Sequence, residues 1–438
     1  MFSTQERPAP IVSLPGRIPT VVQAGIFAAC IIALFLPFPS AGSVSPGTEG
    51  AVTEWGPWIT NTTPWSATIH WKTGNPGIGS IDYSPLDNGT LFCPWISVSE
   101  RNPEMLHQVT LQGLTPGTTY AYHLAGDSGF FQFRTPPLAG PVKFIVYGDT
   151  RGQEGWKNQA LLKKSVADAI AREQDILFVL HTGDLVYDPG NASDWQDFFD
   201  TSGVFLANVS FFPVAGNHED NLTEYLAIFG MPACYSFSCG DAKVIVLNSN
   251  PMSAGDEQVQ QEWLEAVLAS SPGWTFVALH HPLYSSEASH YGGRPDLQAS
   301  LGDPFMRSGV SAVFSAHVHA YEHYEHGGVH YFTVGTGGAP FYPLSTEKPD
   351  GFVNSLENTV GYAVVAVDEK TVAIAFVRVA EEKNGVVTIF PPDSVAETVI
   401  IRKSPFIALL QLTLPFGEEK PGEIELMFPS GRHDARFL

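Results

Sequence analysis

Positive charge is what this sequence has least of. Lysine and arginine number 23 against 45 aspartates and glutamates, a formal net charge of −22 over 438 residues. That balance excludes a grip on nucleic acid, which needs lysines and arginines against phosphates, and it offers no polybasic patch to a membrane. A protein this acidic can handle an anionic substrate only by gathering positive charge at one point, and metal ions would do that. Cysteine is scarce too: four residues cannot make a disulfide scaffold. Cys30 lies in an apolar N-terminal segment and Cys93 has no evident partner. Cys234 and Cys239 flank Tyr-Ser-Phe-Ser, and either close a small loop in an oxidising compartment or stay as thiols. Long apolar runs are missing from the two places that come nearest. Ala24–Phe38 and Ile407–Phe416 both fall short of the ~20 residues that a membrane span wants. Charged residues make up 16% and apolar ones 44%, which is globular rather than disordered, and the length suits two domains.

What is present divides the chain into segments. Met1–Gln23 carries Arg7 and Arg17 against Glu6; the apolar stretch and Pro-Ser-Ala-Gly-Ser follow. Residues 1–41 therefore read as a secretory signal peptide or an uncleaved N-terminal membrane anchor, and either places the remainder outside the cytoplasm. Five Asn-x-Ser/Thr sequons, at Asn61, Asn88, Asn191, Asn208 and Asn221, fit that location and a glycoprotein. Residues 42–50 are a Ser/Pro/Gly linker. From 51 to 137 short alternating segments predict strands at Ala67–Trp71, Ile78–Tyr83, His107–Leu114, Thr119–Leu124 and Phe130–Arg134, an all-β sandwich. His70, His107 and His123 are scattered there and read as structural. Thr135–Pro141 is the boundary. Over 142–403 apolar strands alternate with helical stretches: Val142–Tyr147, helix Gly155–Arg172, Ile176–Thr182, Phe211–Ala215, Val244–Asn248, helix Asp256–Ser270, Thr275–Leu279 and Val310–Phe314. Tyr331–Thr336, Tyr362–Asp368 and Val372–Val379 add strands, with a turn at Glu369-Lys370. Several strands are apolar throughout, as strands covered on both faces should be, so the expected fold is a layered α/β domain after an all-β one. Residues 404–438 carry no readable role.

The chemistry-bearing residues sit where these strands run out. Ser315–His323 reads Ser-Ala-His-Val-His-Ala-Tyr-Glu-His after an apolar run. His317 and His319, two apart at a strand end, can converge on one point, and neutral imidazole suits borderline metals. Four more stretches follow strand-like runs: Gly148-Asp149-Thr150, Gly183-Asp184-Leu185-Val186-Tyr187, Gly216-Asn217-His218-Glu219 and His280-His281-Pro282-Leu283-Tyr284. Singly each has an ordinary employment, Asp149, Asp184 and Asn217 in turns and His280 as a bonded strand-end histidine. Jointly they do not, since eight of fourteen histidines lie between His280 and His330. His281, His323, His326 and His330 keep the structural reading.

Taken in order, the five stretches resemble the calcineurin-like metallophosphoesterase superfamily, and within it the purple acid phosphatases. The preceding segment resembles that family's fibronectin type III-like domain, with Leu114–Tyr120 as its corner-forming turn and Tyr120 as the corner tyrosine. The resemblance covers roughly 51–402. It implies one metal held by Asp149, Asp184, Tyr187 and His319, and a second held by the shared Asp184 with Asn217, His280 and His317. It implies that His218 faces the substrate and that His290, in the Tyr284–Pro295 loop, stands near the leaving group. Because a phenol ionises near pH 10, only a strong Lewis acid holds it as phenolate under mild conditions, so the resemblance favours Fe(III) at the Tyr187 site, with Fe, Zn or Mn at the second. The implied activity is an acid phosphomonoesterase, hydroxide held at the metal pair attacking phosphorus of a small phosphorylated substrate. A Mn/Zn phosphodiesterase or nucleotidase, and a catalytically silent surface-binding or adhesion protein, are the alternatives.

The chain departs from the family pattern in three places. Asp149-Thr150-Arg151 replaces an Asp-x-His found in many superfamily members, and the missing imidazole leaves a position that Tyr187 fills. Ser315-Ala316 stand where a glycine is usual before the histidine pair, and His323 where the family has arginine.

Overall fold

The computed structural model describes residues 52–403 apart from Phe92, Ser128 and Pro272, together with the backbone of Glu425–Leu426. The proposed signal peptide or anchor, the linker, and nearly all of the 404–438 tail lie outside the described residues. The described residues fall in one compact unit.

Two mixed sheets lie face to face, each with helices on its outer side. In the first, Val142–Tyr147, Phe178–His181 and Ser210–Pro213 run parallel, and Thr359–Val367 and Thr371–Lys383 continue the sheet antiparallel. In the second, Ala242–Val246, Trp274–Ala278, Ala312–Ser315 and Val329–Val334 run parallel. Aromatic rings from both inner faces interdigitate: Phe212 stacks on Phe237 at 3.8 Å, and Phe144 meets Phe276 edge-on at 5.4 Å. Aromatic pairs in these arrangements add about 0.5–1.5 kcal/mol beyond area burial. The parallel strands are apolar on both faces for a visible reason. Val244 and Val246 enter the inter-sheet core, whereas Ile245 packs outward with Leu264, Val267 and Phe305 of the helices Ala254–Ala269 and Pro295–Ser308.

The layered α/β reading is the architecture observed. Val142–Tyr147 falls at the expected bounds, and the expected helices run Gln159–Ile170 and Ala254–Ala269. Three helices went unread, the short Thr223–Phe229 and two longer ones. Ala192–Leu206 carries Ser202 and Gly203 in its body, and Pro295–Ser308 has Pro304 in its interior, so weak helix formers mask both patterns. A side-chain cap from Asn191 to the Ser193 N–H starts the first, and proline at the first turn starts the second.

The N-terminal region is β-rich, as expected, and packs two sheets around Ile59, Ile69, Trp71, Ile81, Tyr122 and Phe133. Tyr120 Oη accepts the Thr115 N–H at 2.8 Å, tying the strand Thr119–Leu124 back to the turn before it. One of these sheets continues into the α/β sheet. Its strand Thr53–Thr63 pairs with Ser210–Pro213 at Ile59/Ser210, and Thr60 Oγ1 donates to the Phe229 carbonyl. Tyr122 Oη, from the other sheet, donates to the Ala207 carbonyl.

The cysteine alternatives resolve to thiols. Cys234 and Cys239 stand at either end of the extended strand Tyr235–Cys239, both buried and both free. Five residue steps along the extended chain (239 − 234) separate them by roughly 16 Å, far beyond the ~5.5–6 Å between Cα atoms that a disulfide spans.

Candidate metal centre

All five motifs meet at the carboxyl ends of the parallel strands, where open α/β sheets bind ligands. The turns there are tight. Asp149, Asp184 and His317 adopt left-handed φ values of 57°, 53° and 67°, a conformation that costs a non-glycine residue of order 1–3 kcal/mol and clusters at functional sites. Two glycines let the turns press together. Gly183 has φ +100°, and a Cβ there would lie 2.6 Å from His280 Nδ1; at Gly216 it would lie 2.2 Å from Asp184 Oδ1.

Two groups of ligand atoms result, sharing one carboxylate. Asp149, Asp184 and His319 form one, and Asp184, His280 and His317 the other, each with its atoms within 4.8 Å of one another. Asn217 Oδ1 joins the second group, 3.0 Å from His280 Nε2 and 2.8 Å from His317 Nδ1. Backbone carbonyls orient two of the imidazoles. His280 Nδ1–H donates to the Thr182 carbonyl at 2.9 Å and His319 Nδ1–H to that of Pro340, which leaves each Nε2 as the ligating atom.

Whether this set suits metal ions can be judged from Asp149. Both its carboxylate oxygens are buried and lack any hydrogen-bond partner, with His319 Nε2 3.7 Å from Oδ1. An orphaned buried carboxylate costs several kcal/mol unless a cation meets it. In the metal-free protein protons take that place. Burial pushes the Asp149 carboxyl up to about 7 despite the opposing pull of His280. Burial works against charge on His280, but Asp184 and then Asp149 outweigh it and raise the imidazole to about 9. Burial would also raise Asp184, yet His280 and His218 hold it well below the usual carboxylate range. Burial, and then the charge of His280, lowers His317 to about 2; burial, and then Arg151, lowers His319 to about 3, so both are neutral donors. Oxygen and imidazole donors of this kind suit Fe, Zn or Mn.

A buried carboxylate that the sequence reading passed over holds the arrangement together. Glu219, 1% exposed, accepts the N–H groups of Asp184 and Gly216 on one oxygen and those of Leu185 and Val186 on the other, at 2.9–3.3 Å. Burial pushes its pKa upward, Asp184 adds to this, and the Gly216 N–H pulls it down. His181 contributes less directly: Gly183 N–H donates to its Nδ1, leaving Nε2–H to donate to Thr150 Oγ1.

Of the remaining residues singled out, His218 lies at the mouth. Its Nδ1–H donates to the Tyr187 carbonyl at 2.5 Å and its Nε2 lies 3.8 Å from Asp184 Oδ2. The His290 ring is 4.9 Å from that of His317, and its Nδ1 meets the buried Glu287 at 2.5 Å. With His281, Pro282, Gly293, Arg294 and His317 it lines an open pocket of about 210 Å³. Tyr187 is 51% exposed, its ring 5.0 Å from the His218 ring and 5.7 Å from the Arg151 guanidinium carbon. A second tyrosine, Tyr342, was not foreseen. It stacks on His319 at 4.1 Å, and Arg151 Nη2 donates to its Oη at 3.0 Å.

The residues kept as structural have ordinary partners. His281 shares a hydrogen bond with Ser249, His323 meets Glu397 and His330, and His326 stacks on Tyr284. His70 and His107 pair with Thr60 and Thr73, and His123 packs against Trp95 and Phe130.

Comparison with known proteins agrees with this geometry. Residues 142–321 match the family model for calcineurin-like phosphoesterases. Purple acid phosphatase 21 of Arabidopsis thaliana is 30% identical over 268 residues, covering 54% of this chain and 59% of that protein. Purple acid phosphatase 1 of Ipomoea batatas is 31% identical over 251 residues, covering 50% and 52%. The chain thus spans less than two thirds of the length of these relatives. Among solved structures, a purple acid phosphatase from yellow lupin (Lupinus luteus) seeds superposes with a TM-score of 0.65 over 81% of this chain and 75% of that one, at 18% identity, a likeness of fold.

Proposed function

We propose that this calcineurin-like phosphoesterase domain hydrolyses phosphate esters at a pair of metal ions, as an acid phosphomonoesterase of small substrates. The observation that carries the reading is Asp149, whose two buried oxygens have no partner beside a carboxylate, Asp184, that two ligand groups share. We assign one ion to Asp149, Asp184, Tyr187 and His319, and the other to Asp184, Asn217, His280 and His317. When bound, the ions supply Lewis acidity at phosphorus and lower the pKa of water toward 7. The chain's own groups do the rest. His218, its Nδ1–H held by the Tyr187 carbonyl, turns Nε2 toward Asp184 and, when protonated there, stabilises charge gathering on the phosphoryl oxygens. His290, held by Glu287, gives a proton to the departing alcohol. We place Fe(III) at the Tyr187 site, the β-rich 51–137 segment as an accessory domain, and the protein outside the cytoplasm; no helix among the described residues is long and apolar enough to cross a membrane.

Two measurements test this. A panel of phosphomonoesters and diesters should be hydrolysed, monoesters faster, and a chelator should abolish turnover; chelator-resistant turnover, or none on any ester, removes the reading. Iron(III) phenolate absorbs visible light, so the isolated protein should be violet or pink and Tyr187→Phe colourless. Colour surviving in that variant would take the phenolate away from Tyr187.

A further inference from the structure

The pocket of about 210 Å³ beside the metal centre has walls that metal binding alone does not call for. Two of its sides are His317, from one ligand group, and His290, their rings 4.9 Å apart. His281, Pro282, Gly293 and Arg294 complete the lining. With phosphorus at the metals and His290 giving its proton to the departing oxygen, whatever enters between them is the departing group.

The loop that shapes the pocket is fixed before any substrate arrives. The Arg294 N–H donates to the Leu283 carbonyl at 3.1 Å, and the Gly292 N–H to that of Ser285 at 2.8 Å. The buried Glu322 accepts the Ser285 hydroxyl and both the N–H and the hydroxyl of Ser286, at 2.6–2.8 Å. Gln298 Nε2, from the helix Pro295–Ser308, donates to the Leu283 and Gly292 carbonyls. A preformed site loses little freedom on binding, so its walls decide what it takes.

Those walls offer carbon. His281 Nδ1 shares a hydrogen bond with Ser249, and His290 meets Glu287. Arg294 donates from Nε and Nη2 to the two carboxylate oxygens of Asp296, so its charge is already answered. The surface left to the pocket is almost wholly carbon, and a flat apolar ring packs well against imidazole, proline and the stem and plane of an arginine. Size narrows the choice. An apolar cavity of ~150 Å³ holds a benzene molecule, so this one takes a single six-membered ring. A nucleoside would bring its ribose in first, and hydroxyls set against carbon lose water without gaining a partner. A short alkyl group leaves the walls without contacts.

Resting on the phosphoesterase reading above, we propose that this pocket is a leaving-group subsite for one aromatic ring, selecting aryl phosphate monoesters over alkyl and nucleoside ones. Arg294 is the wall residue that sets the preference.

The test uses the metal-loaded full chain with phenylphosphonate and methylphosphonate as probes, whose C–P bonds keep ester reactivity out of the comparison. In calorimetry the wild type should bind the phenyl compound about tenfold more tightly, as one ring partly removed from water should give. Arg294→Ala removes a wall and no group assigned to the metals or to proton transfer. Its preference should fall to about twofold or less, with methylphosphonate bound as in wild type. Arg294→Met, which keeps the carbon stem without the charge, should retain most of it. In turnover, Arg294→Ala should lose more kcat/KM on phenyl phosphate than on glycerol phosphate. Equal binding of the two phosphonates by wild type, or a preference unchanged in Arg294→Ala, would overturn the proposal. So would tighter binding of carboxyethylphosphonate than of phenylphosphonate, or a loss in Arg294→Met as large as in Arg294→Ala, since either makes Arg294 a reader of charge. A wild type that prefers the ring yet hydrolyses no ester would refute the activity and leave the subsite standing.

Discussion

Glu219→Gln is the most informative single change outside the ligands, because it keeps shape and removes charge. Four N–H donors converge on the carboxylate, two per oxygen. Glutamine leaves one oxygen to accept and turns an NH2 group toward the other two donors. Hydrogen bonds to charged groups are worth ~1.5–3 kcal/mol, so two losses total about 3–6 kcal/mol. Some of this returns, since the variant no longer buries a second negative charge near Asp184, and the net cost is about 2–4 kcal/mol. At roughly 2–4 °C per kcal/mol for large domains, Tm should drop by about 5–15 °C. The donors belong to the turns that present Asp184 and Asn217, so metal affinity should fall with stability. Calorimetric melts at pH 9, above the value of about 8 to which burial lifts Glu219, run with and without added metal, measure both. A Tm within about 2 °C of wild type would show that these turns do not depend on the charge, and would refute the reasoning.

Two further outcomes follow from other parts of the structure. His218→Ala should lower kcat by roughly 10²–10³, the usual loss for one oriented donor, with both metals retained; metal loss in elemental analysis would make His218 a ligand instead. Glu397 accepts from Tyr321, His323 and Asn354. Burial would raise its pKa, but the hydrogen bonds from His323 and Tyr321 outweigh this and lower it. A depressed carboxylate stabilises the fold above its unfolded pKa of about 4.3, and that stability is lost as pH falls through the folded value. Wild type should therefore melt above Glu397→Gln at pH 6, and the gap should close toward pH 3. A gap unchanged across that range contradicts the linkage.

How far the sequence speaks for itself differs from residue to residue. Asp149, Asp184, Asn217, His280 and His317 were legible because each follows an apolar run, and parallel strands bring those ends to one edge. The helix Gln159–Ile170 was legible from its apolar period, with Leu162, Val166 and Ile170 buried on one face. Glu219 passed for a motif neighbour, since nothing local says that its carboxylate reaches back to the N–H groups of residues 184–186. Tyr342 was beyond reach: it stands 23 positions after His319 (342 − 319) in an irregular segment, and only folding lays it on that ring. Arg151 could be seen as a departure from the family pattern, but its bond to Tyr342 exists only in three dimensions. The continuity of the β-rich region with the α/β sheet rests on a single pairing, Ile59 with Ser210, for which composition carries no signal.

Metal stoichiometry tests the central claim most directly. Purified full-length protein supplied with iron, zinc and manganese should carry two ions per chain by elemental analysis. Asp184→Ala, which removes the carboxylate common to both ligand groups, should carry one or none and hydrolyse no phosphomonoester. A wild type that holds no metal, or an Asp184→Ala variant that keeps two ions and its rate, would contradict the account.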